Sequence, residues 1–141
     1  MAVLHLLHVN INALRTKKSE LCCYLRETKA EVVMINETKL NDKPTPRISG
    51  FRAAAVRNRA TDKVRGGGVA IYVKRSIKFI DISPDVDDIV AIELQTNNAK
   101  IAIISYYRPP DDSVELNVAL LESYLAKYDH CIIGGDLNAK H

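Results

Sequence analysis

Two stretches of the chain share the order strand, helix, strand, and this order constrains the fold more than any other feature. The first covers residues 3–36, with helical spacing of apolar side chains from Leu14 to Leu25. The second covers residues 100–133, with a helix that we predict to begin near Asp112, whose partner in an N-terminal cap is Glu115. Connections of this kind are right-handed and make their two strands parallel. The sequence therefore predicts an α/β fold with two parallel strand pairs.

The length and the apolar content of the chain favour one globular domain. Its 141 residues are 47% hydrophobic, which is enough for a sizeable core. Short segments between the two units are rich in β-branched residues and bounded by Gly, Asn or Asp, which predicts strands at residues 51–56, 69–73, 77–82 and 89–95. We therefore expect a mixed sheet with flanking helices.

The cysteines and the apolar runs indicate a soluble protein of a reducing compartment inside the cell. Cys22, Cys23 and Cys131 form no disulfide framework and no CxxC metal spacing. No apolar run approaches the ~20 residues that span a bilayer, and the start of the chain turns polar too early for a signal peptide. We expect no membrane partner and no small-molecule cofactor.

Charge is unevenly distributed although the net charge is only +3. Residues 81–97 contain acids and no bases, whereas residues 51–80 contain the single acid Asp62 and a series of bases: Arg52, Arg57, Arg59, Lys63, Arg65, Lys74, Arg75 and Lys78. Such a stretch is typical of a surface that faces nucleic acid. The alternative is a solvated loop with an edge strand.

Six oxygen-bearing side chains stand at the ends of predicted strands: Asn10, Asn12, Glu37, Tyr107, Asp136 and Asn138. Asn10 and Asn12 are expected to share one face, because side chains alternate along a strand with a period of two. If both units share a sheet, all six groups meet at one edge, since the carboxyl ends of parallel strands lie together. A set of this chemistry suits Mg²⁺ or Mn²⁺ acting on a phosphate.

Each of these residues also has an ordinary structural interpretation. Glu37 can cap a helix, Asn10 and Asn12 can bond to the backbone in turns, Asp136 can be a turn residue, and Tyr107 can belong to the core. The glycines at 66–68 lack the lysine of a phosphate-binding loop and predict a bend at the start of a strand. The functional hypothesis therefore depends on the combination.

Five motifs occur in an order that is known from one family. They are His8-Val9-Asn10-Ile11-Asn12-Ala13-Leu14, Ile35-Asn36-Glu37-Thr38-Lys39-Leu40, Gly67-Gly68-Val69-Ala70-Ile71-Tyr72, Ser105-Tyr106-Tyr107-Arg108-Pro109-Pro110 and Gly134-Gly135-Asp136-Leu137-Asn138-Ala139-Lys140-His141. The sequence resembles the endonuclease/exonuclease/phosphatase superfamily. More narrowly, it looks like the apurinic-endonuclease-like domain of jockey-type non-LTR retrotransposons.

The resemblance implies a role for each candidate residue. Glu37 would be the main ligand of Mg²⁺ or Mn²⁺, assisted by Asn12 at a position where many relatives have aspartate. The catalytic residues would be Asn10, which holds the site, Tyr107 at the scissile phosphate or leaving group, Asp136 at the attacking water, and Asn138 at a phosphate oxygen. The residues expected to contact nucleic acid are Arg57, Arg59, Lys63, Arg65, Arg108 and His141.

The resemblance also implies a DNase I-like fold, a four-layer α/β sandwich of two sheets between helices. In that family a further aspartate and a Ser-Asp-His segment follow the Gly-Asp-Leu-Asn motif. We therefore expect residues 1–141 to be the N-terminal part of one domain, truncated before its C-terminal half is complete. We expect one sheet with its helices and the first part of the other, with an apolar inward face left uncovered.

Three functional hypotheses remain open. The first is a metal-dependent endonuclease of a non-LTR retrotransposon, which nicks DNA in the nucleus beside a downstream reverse transcriptase, with this fragment inactive alone. The second is a catalytically dead half-domain that binds nucleic acid or a partner chain. The third is another member of the superfamily, a phosphatase or deadenylase.

Overall fold

The computed structural model describes residues 3–60, 67–110 and 115–138. Its elements follow in the order β1 (Leu6–Asn10), α1 (Leu14–Glu27), β2 (Val32–Asn36), β3 (Phe51–Arg57), β4 (Val69–Lys74), β5 (Phe79–Asp81), β6 (Ile89–Gln95), β7 (Lys100–Tyr107), α2 (Val118–Lys127) and β8 (His130–Asp136). The strands form two sheets of four, in the orders β1-β2-β4-β3 and β5-β6-β7-β8.

The two strand–helix–strand units form parallel pairs, as the sequence predicts. Strands β1 and β2 run parallel with Asn10 opposite Asn36, and β7 and β8 run parallel with Tyr107 opposite Asp136. The remaining pairs are antiparallel, so both sheets are mixed. The two units lie in different sheets, one in each, rather than side by side in one sheet.

Helix α1 covers the outer face of the first sheet. Its apolar positions Leu14, Leu21 and Leu25 are buried against a face that includes Val33 and Tyr72. Burying a leucine or valine side chain completely contributes about 1.5–3 kcal/mol to the free energy of folding. The helical spacing of these leucines therefore determines which side of the sheet the helix covers.

Helix α2 covers the outer face of the second sheet in the same manner. Tyr124 is buried in a cluster with Ala102, Ile104 and Tyr106, the outward side chains of β7. The Tyr124 hydroxyl also donates a hydrogen bond to the carbonyl oxygen of Ile82 at 2.7 Å. Two helices thus enclose two sheets, which makes the four-layer arrangement that the sequence predicts.

The inward faces of the sheets pack against each other, which corrects one expectation. A buried cluster joins Val32, Met34 and Ile71 of the first sheet to Ile92 and Ile103 of the second. The expectation that the inward face is left uncovered is therefore wrong. The β-branched segments 77–82, 89–95 and 100–107 supply three strands that join β8, an edge strand, in the second sheet.

Some predicted boundaries also differ from the structure. Helix α2 begins at Val118, because the Asn117 side chain accepts a hydrogen bond from the Leu120 amide at 3.1 Å and caps the helix. The predicted start near Asp112 is wrong, since residues 115–117 are not helical; Asp112 itself lies outside the described residues. Strand β1 ends at Asn10, and Asn12 follows in a turn with φ of 48°, so the two amides do not share a strand face.

Within the described ranges, no helix is long and apolar enough to cross a membrane.

Candidate active site

The ends of β1, β2, β7 and β8 meet at one edge of the sandwich, where side-chain hydrogen bonds cross between the sheets. The Tyr107 hydroxyl donates to Glu37 Oε1 at 3.0 Å, and the Asn10 side-chain amide donates to Asp136 Oδ2 at 3.4 Å. Each bond joins a residue of the first strand pair to a residue of the second. The structure therefore brings together four of the residues that the sequence singles out.

Tyr107 is buried and acts as a hydrogen-bond donor at this edge. Burial raises the pKa of its phenol well above the ordinary value, and the bond to Glu37 raises it further, with smaller contributions from Asp136 and Asp88. The phenol therefore remains protonated throughout the physiological pH range. Its proton is directed at a carboxylate oxygen, which fixes the position of Glu37 relative to the second sheet.

The backbone around Glu37 is held in an uncommon conformation by its neighbours. Glu37 has φ of 53°, in the left-handed region, and its carbonyl oxygen accepts from the Ala13 amide at 2.9 Å. The Leu14 amide donates to the Thr38 carbonyl at 2.9 Å. Ala13 and Leu14 stand at the N-terminus of helix α1, where the helix itself supplies no carbonyl acceptor for the backbone amides. The start of α1 and the loop after β2 therefore stabilise each other, and Glu37 is presented at the edge.

Gly68 allows the β4 strand to approach this loop closely. A Cβ atom at Gly68 would lie 2.3 Å from the Thr38 hydroxyl oxygen, and the residue has φ of 88°. Its amide donates to Asp88 Oδ1 at 3.0 Å, and its carbonyl accepts from the Thr38 amide at 3.2 Å. The bend that the sequence predicts at the start of β4 is confirmed for Gly67 and Gly68. Its role is to connect the Glu37 loop to Asp88 in the second sheet.

Asn36 is a residue of the site that the sequence analysis did not assign a role. It is completely buried, its amide donates to the Tyr106 carbonyl at 2.9 Å, and its side-chain oxygen accepts from the Ser105 hydroxyl at 3.0 Å. These bonds join β2 directly to β7, one residue before Glu37 and one before Tyr107. The sequence does carry a signal for this role, because Asn36 ends an apolar strand and is therefore expected to be buried. Buried amides are almost always hydrogen-bonded, so such an asparagine predicts a polar contact in the core.

Asn12 and Lys39 form a second polar pair beside Glu37. Asn12 is exposed, and its side-chain oxygen accepts a short hydrogen bond from the Lys39 ammonium group. Lys39 also has a left-handed backbone, with φ of 54°, and its amide donates to the Gly67 carbonyl at 3.0 Å. Lys39 lies in the same family motif as Glu37, but the sequence analysis does not predict it as a site residue. It adds a positive charge next to the predicted metal ligands.

Asn138 and Arg108 bond to each other at the second sheet. The Asn138 side-chain amide donates to the Arg108 carbonyl at 2.6 Å, and the Arg108 guanidinium donates to the Leu137 and Asn138 carbonyls, each at 3.3 Å. The backbone amide of Asn138 donates to Asp136 Oδ1 at 3.1 Å. These bonds order the turn after β8 and fix the Asp136 carboxylate from both sides, together with Asn10.

The predicted nucleic-acid-binding residues fall into different environments. Arg57 forms ion pairs with Asp85 at 2.9 Å and Asp87 at 3.5 Å, and the bond to Asp85 raises the pKa of its guanidinium. Arg59 follows β3, and its amide donates to the Leu40 carbonyl at 3.1 Å. The other predicted bases, Lys63, Arg65 and His141, lie outside the described residues.

His8 lies between the sheets next to this edge. Burial lowers the pKa of its imidazole, while Asn36 and Asp136 act in the opposite direction. Its Nε2 atom is buried without a hydrogen-bond partner. A Cβ atom at Gly134 would lie 3.4 Å from the His8 ring, so β8 passes close over it. His8 is therefore neutral at neutral pH and belongs to the packing beneath the site.

The donor atoms at the edge agree with a hard divalent cation. Glu37 offers a carboxylate oxygen beyond the one that Tyr107 contacts, and Asn12 carries an amide oxygen, which the Lys39 ammonium group contacts in this structure. Both are ligand types that Mg²⁺ prefers. Across the described ranges, no group of three or more His, Cys, Asp or Glu side chains is gathered for a metal. Magnesium sites that act on phosphates commonly use one or two protein carboxylates and complete the shell with water and substrate oxygens. The residues present therefore fit such a cation.

Comparison with known proteins identifies the family. The model of the Endonuclease/Exonuclease/phosphatase family matches residues 7–141. The chain belongs to this family. A protein from Drosophila melanogaster described as a probable RNA-directed DNA polymerase from transposon X-element is 27% identical over 146 residues. That match covers 100% of this chain and 16% of the relative, so the chain spans a small part of that protein.

Solved structures of the family share the fold. The endonuclease domain of TRAS1, a telomere-specific non-LTR retrotransposon, superposes with a TM-score of 0.67 at 23% identity, over 99% of this chain and 61% of that one. The catalytic domain of Xenopus laevis APE2 gives a TM-score of 0.68 at 19% identity, over 96% of this chain and 58% of that one. The predicted DNase I-like fold class is thereby confirmed, and the chain spans about three-fifths of these domains.

Proposed function

We propose that this chain contributes the first part of a DNA endonuclease domain of a non-LTR retrotransposon. The observation that carries the proposal is the pairing of Glu37 with Tyr107 and of Asn10 with Asp136 across two sheets. Carboxylates, an amide and a protonated phenol at one edge suit hydrolysis of a phosphodiester. The similarity to a transposon polymerase and to a retrotransposon endonuclease domain supports the choice of branch.

In this proposal each residue at the edge has a separate role in hydrolysis of the phosphodiester. Asp136 orients and deprotonates the attacking water, and Asn10 holds the carboxylate by donating to its Oδ2 atom. Tyr107 donates to the phosphate or to the leaving oxygen after its hydroxyl leaves Glu37 Oε1, and its raised pKa keeps the phenol protonated for this bond. Asn138 binds a phosphate oxygen after its amide leaves the Arg108 carbonyl. The water oxygen bonds to phosphorus as the bond from phosphorus to O3′ breaks; O3′ takes a proton from solvent while Asp136 returns its proton to solvent, which leaves a 3′ hydroxyl and a 5′ phosphate.

Glu37 and Asn12 would hold Mg²⁺ or Mn²⁺. When bound, the cation neutralises charge on the phosphate and polarises its oxygens. The ammonium group of Lys39 contacts the same Asn12 oxygen, and therefore Lys39 competes for that position or takes over part of the charge neutralisation. An asparagine in place of the aspartate of many relatives leaves Glu37 as the single charged ligand of the proposed pair.

The extent of the domain and its partners are part of the same proposal. The chain spans 61% of the TRAS1 endonuclease domain, which suggests that residues 1–141 form the N-terminal part of a longer domain. The Drosophila relative is a probable RNA-directed DNA polymerase, and a reverse transcriptase downstream in the same protein is the implied partner. In this proposal the chain acts on chromosomal DNA, in the nucleus.

A plasmid assay tests the proposed function. The chain, alone and joined to a C-terminal half of the family, is incubated with supercoiled plasmid and Mg²⁺, with EDTA as the metal control. We expect the joined protein to convert supercoiled plasmid to open circles, the chain alone to be inactive, and Glu37→Gln to abolish nicking. The exposed variant Lys43→Gln is the control and should retain activity. No nicking by a well-folded joined protein would reject the endonuclease assignment.

A further inference from the structure

The basic stretch between residues 51 and 80 is divided by the fold between the two ends of the sandwich. Arg57 lies opposite Val69 at the end of β3 that is next to the candidate site, whereas Arg52 lies opposite Val73 near the other end. The two arginines are separated by roughly 17 Å, because a strand rises ~3.3 Å per residue. These bases therefore do not form one continuous surface.

Backbone and side-chain bonds hold several cations together at the end remote from the site. The Arg75 amide donates to the Gly50 carbonyl at 3.2 Å, beside the start of β3. The Arg52 guanidinium donates to the Ile77 carbonyl at 2.9 Å and lies 5.1 Å from the centre of the Phe79 ring. The turn between β4 and β5 is thus fixed next to Arg52.

The second sheet adds to the same end. The Gln95 amide donates to the Lys78 carbonyl at 3.4 Å, and Gln95 is paired with Lys100 across β6 and β7. One patch therefore spans both sheets. We name it the far-end surface, and its members are Arg52, Lys74, Arg75, Lys78 and Lys100.

These cations are available to an external anion. All are exposed except Lys74, which is half-buried. Among residues that the structure describes, the far-end surface forms no ion pair; the ion pairs present are those of Arg57 with Asp85 and Asp87. Glu31 accepts from the Lys74 amide through its backbone carbonyl, but its carboxylate accepts from the His5 amide at 3.3 Å.

The two ends of the sandwich consequently differ in electrostatic character. The end with the candidate site carries several acidic residues, and two of them form ion pairs with Arg57. These acids are Glu37, Asp85, Asp87, Asp88 and Asp136. At the far end, four of the five cations are exposed, and none of the five forms an ion pair with a carboxylate in the described part of the chain. An uncompensated group of cations attracts polyanions through counterion release, and phosphate backbones are the usual ligand.

We propose that the far-end surface binds the phosphate backbone of a second nucleic-acid segment, distinct from the one at the catalytic edge. The choice of nucleic acid as partner class rests on the proposed function, but the binding does not require hydrolysis. The far-end surface lies at the opposite end of the strands from the catalytic edge, so a duplex that crosses the catalytic edge leaves this surface free for a second segment. The domain would then hold two segments at once.

The test measures binding of a fluorescein-labelled duplex of about 20 base pairs to the 141-residue chain by fluorescence anisotropy, over a series of salt concentrations. The variant is Arg75→Gln with Lys78→Gln, and the matched control is Lys17→Gln with Lys18→Gln on α1, which removes the same charge elsewhere. We expect the far-end variant to bind about tenfold more weakly and to reduce the slope of log Kd against log salt by about one to two. The α1 control should bind nearly as wild type.

Two further variants complete the design. Arg75→Lys with Lys78→Arg keeps the charge and should bind as wild type, whereas Glu37→Gln should retain far-end binding even where nicking is lost. Equal loss of affinity in the far-end and α1 variants would overturn the proposal, as would preferential binding of anionic phospholipid vesicles over the duplex at equal phosphate concentration. Because the readout is binding, failure of nicking alone would count against the proposed function and not against this surface.

Discussion

The Tyr107 hydroxyl donates to Glu37 Oε1 at 3.0 Å across the boundary between the two sheets. The bond joins the end of β7 to the first residue after β2, so two units that are distant in sequence share one polar contact. Its geometry makes Tyr107 a positioning group for Glu37, the proposed metal ligand. The following predictions test this arrangement and the packing beneath it.

Removing the phenol should affect catalysis more than stability. Tyr107→Phe deletes the bond to Glu37 and keeps the buried ring, and water can replace the phenol at the half-buried carboxylate. We expect kcat for plasmid nicking to fall about 100-fold, the size of loss that follows removal of one preorganised donor to a reacting group. The thermal midpoint should change by only a few degrees. Wild-type kcat in Tyr107→Phe would show that the contact has no catalytic role.

Removing the buried amide should affect stability. Asn36→Leu removes the side-chain bond to the Tyr106 carbonyl and leaves the buried Ser105 hydroxyl without its Asn36 partner, and an unsatisfied buried group costs about 1–3 kcal/mol. Urea denaturation should show a clear loss in the free energy of unfolding. The control is Asn98→Leu at an exposed turn position, which should stay within about 0.5 kcal/mol of wild type. Equal effects of the two changes would contradict the assigned role of Asn36.

Neighbouring glycines on β8 should differ in their tolerance of alanine. At Gly135 a Cβ atom would lie 1.8 Å from the Tyr106 carbonyl oxygen, which belongs to the backbone and cannot move aside. At Gly134 the nearest atom is the Met34 sulfur at 2.8 Å, at the flexible end of a side chain. We expect Gly134→Ala to cost about 1–3 kcal/mol. Gly135→Ala should prevent folding or cost distinctly more, as measured by circular dichroism and urea melts.

Stability should decrease in mild acid because of His8. Burial lowers the pKa of His8 below the unfolded value of 6.5, so the unfolded chain binds a proton that the folded chain resists. The free energy of unfolding is therefore unaffected by this group above pH 6.5 and falls as the pH drops from 6.5 through the folded pKa. In His8→Gln, the difference in unfolding free energy between pH 7.5 and 5.5 should be smaller than in wild type.

The matched control for this prediction is the exposed His5. The variant His5→Gln should keep the wild-type difference between the two pH values. If both variants show the same pH dependence as wild type, burial of His8 does not govern acid sensitivity.

Much of the architecture follows from local sequence patterns. The spacing of Leu14, Leu21 and Leu25 predicts α1 and its buried face, and the β-branched runs predict the strands. The sequence does not indicate which strands join which of the two sheets, because sheet membership depends on pairing between distant strands. The predicted start of α2 is wrong because Asp112 and Glu115 resemble an N-terminal cap. The residue that caps the helix is Asn117. Its backbone amide donates a hydrogen bond to the Tyr106 hydroxyl.

The candidate site was predictable in composition and less so in geometry. The strand ends and the family motifs select Asn10, Glu37, Tyr107 and Asp136, and the structure brings them together. The sequence does not predict that Asn12 contacts Lys39 or that Arg57 pairs with Asp85 and Asp87. These partners lie in loops, and the backbone of Lys39 is left-handed. Local patterns carry no information on such contacts.

The central claim is that Glu37 and Asp136, from different sheets, act in one hydrolytic site. Its most direct test is the Mg²⁺-dependent rate of plasmid nicking by the joined protein, measured for Glu37→Gln, Asp136→Asn and the double variant. Residues that act as a unit give strongly non-additive losses. The account predicts that each single change lowers the rate by at least about a hundredfold and that the double change lowers it little further. Full activity in either single variant, or losses that multiply in the double variant, would contradict it.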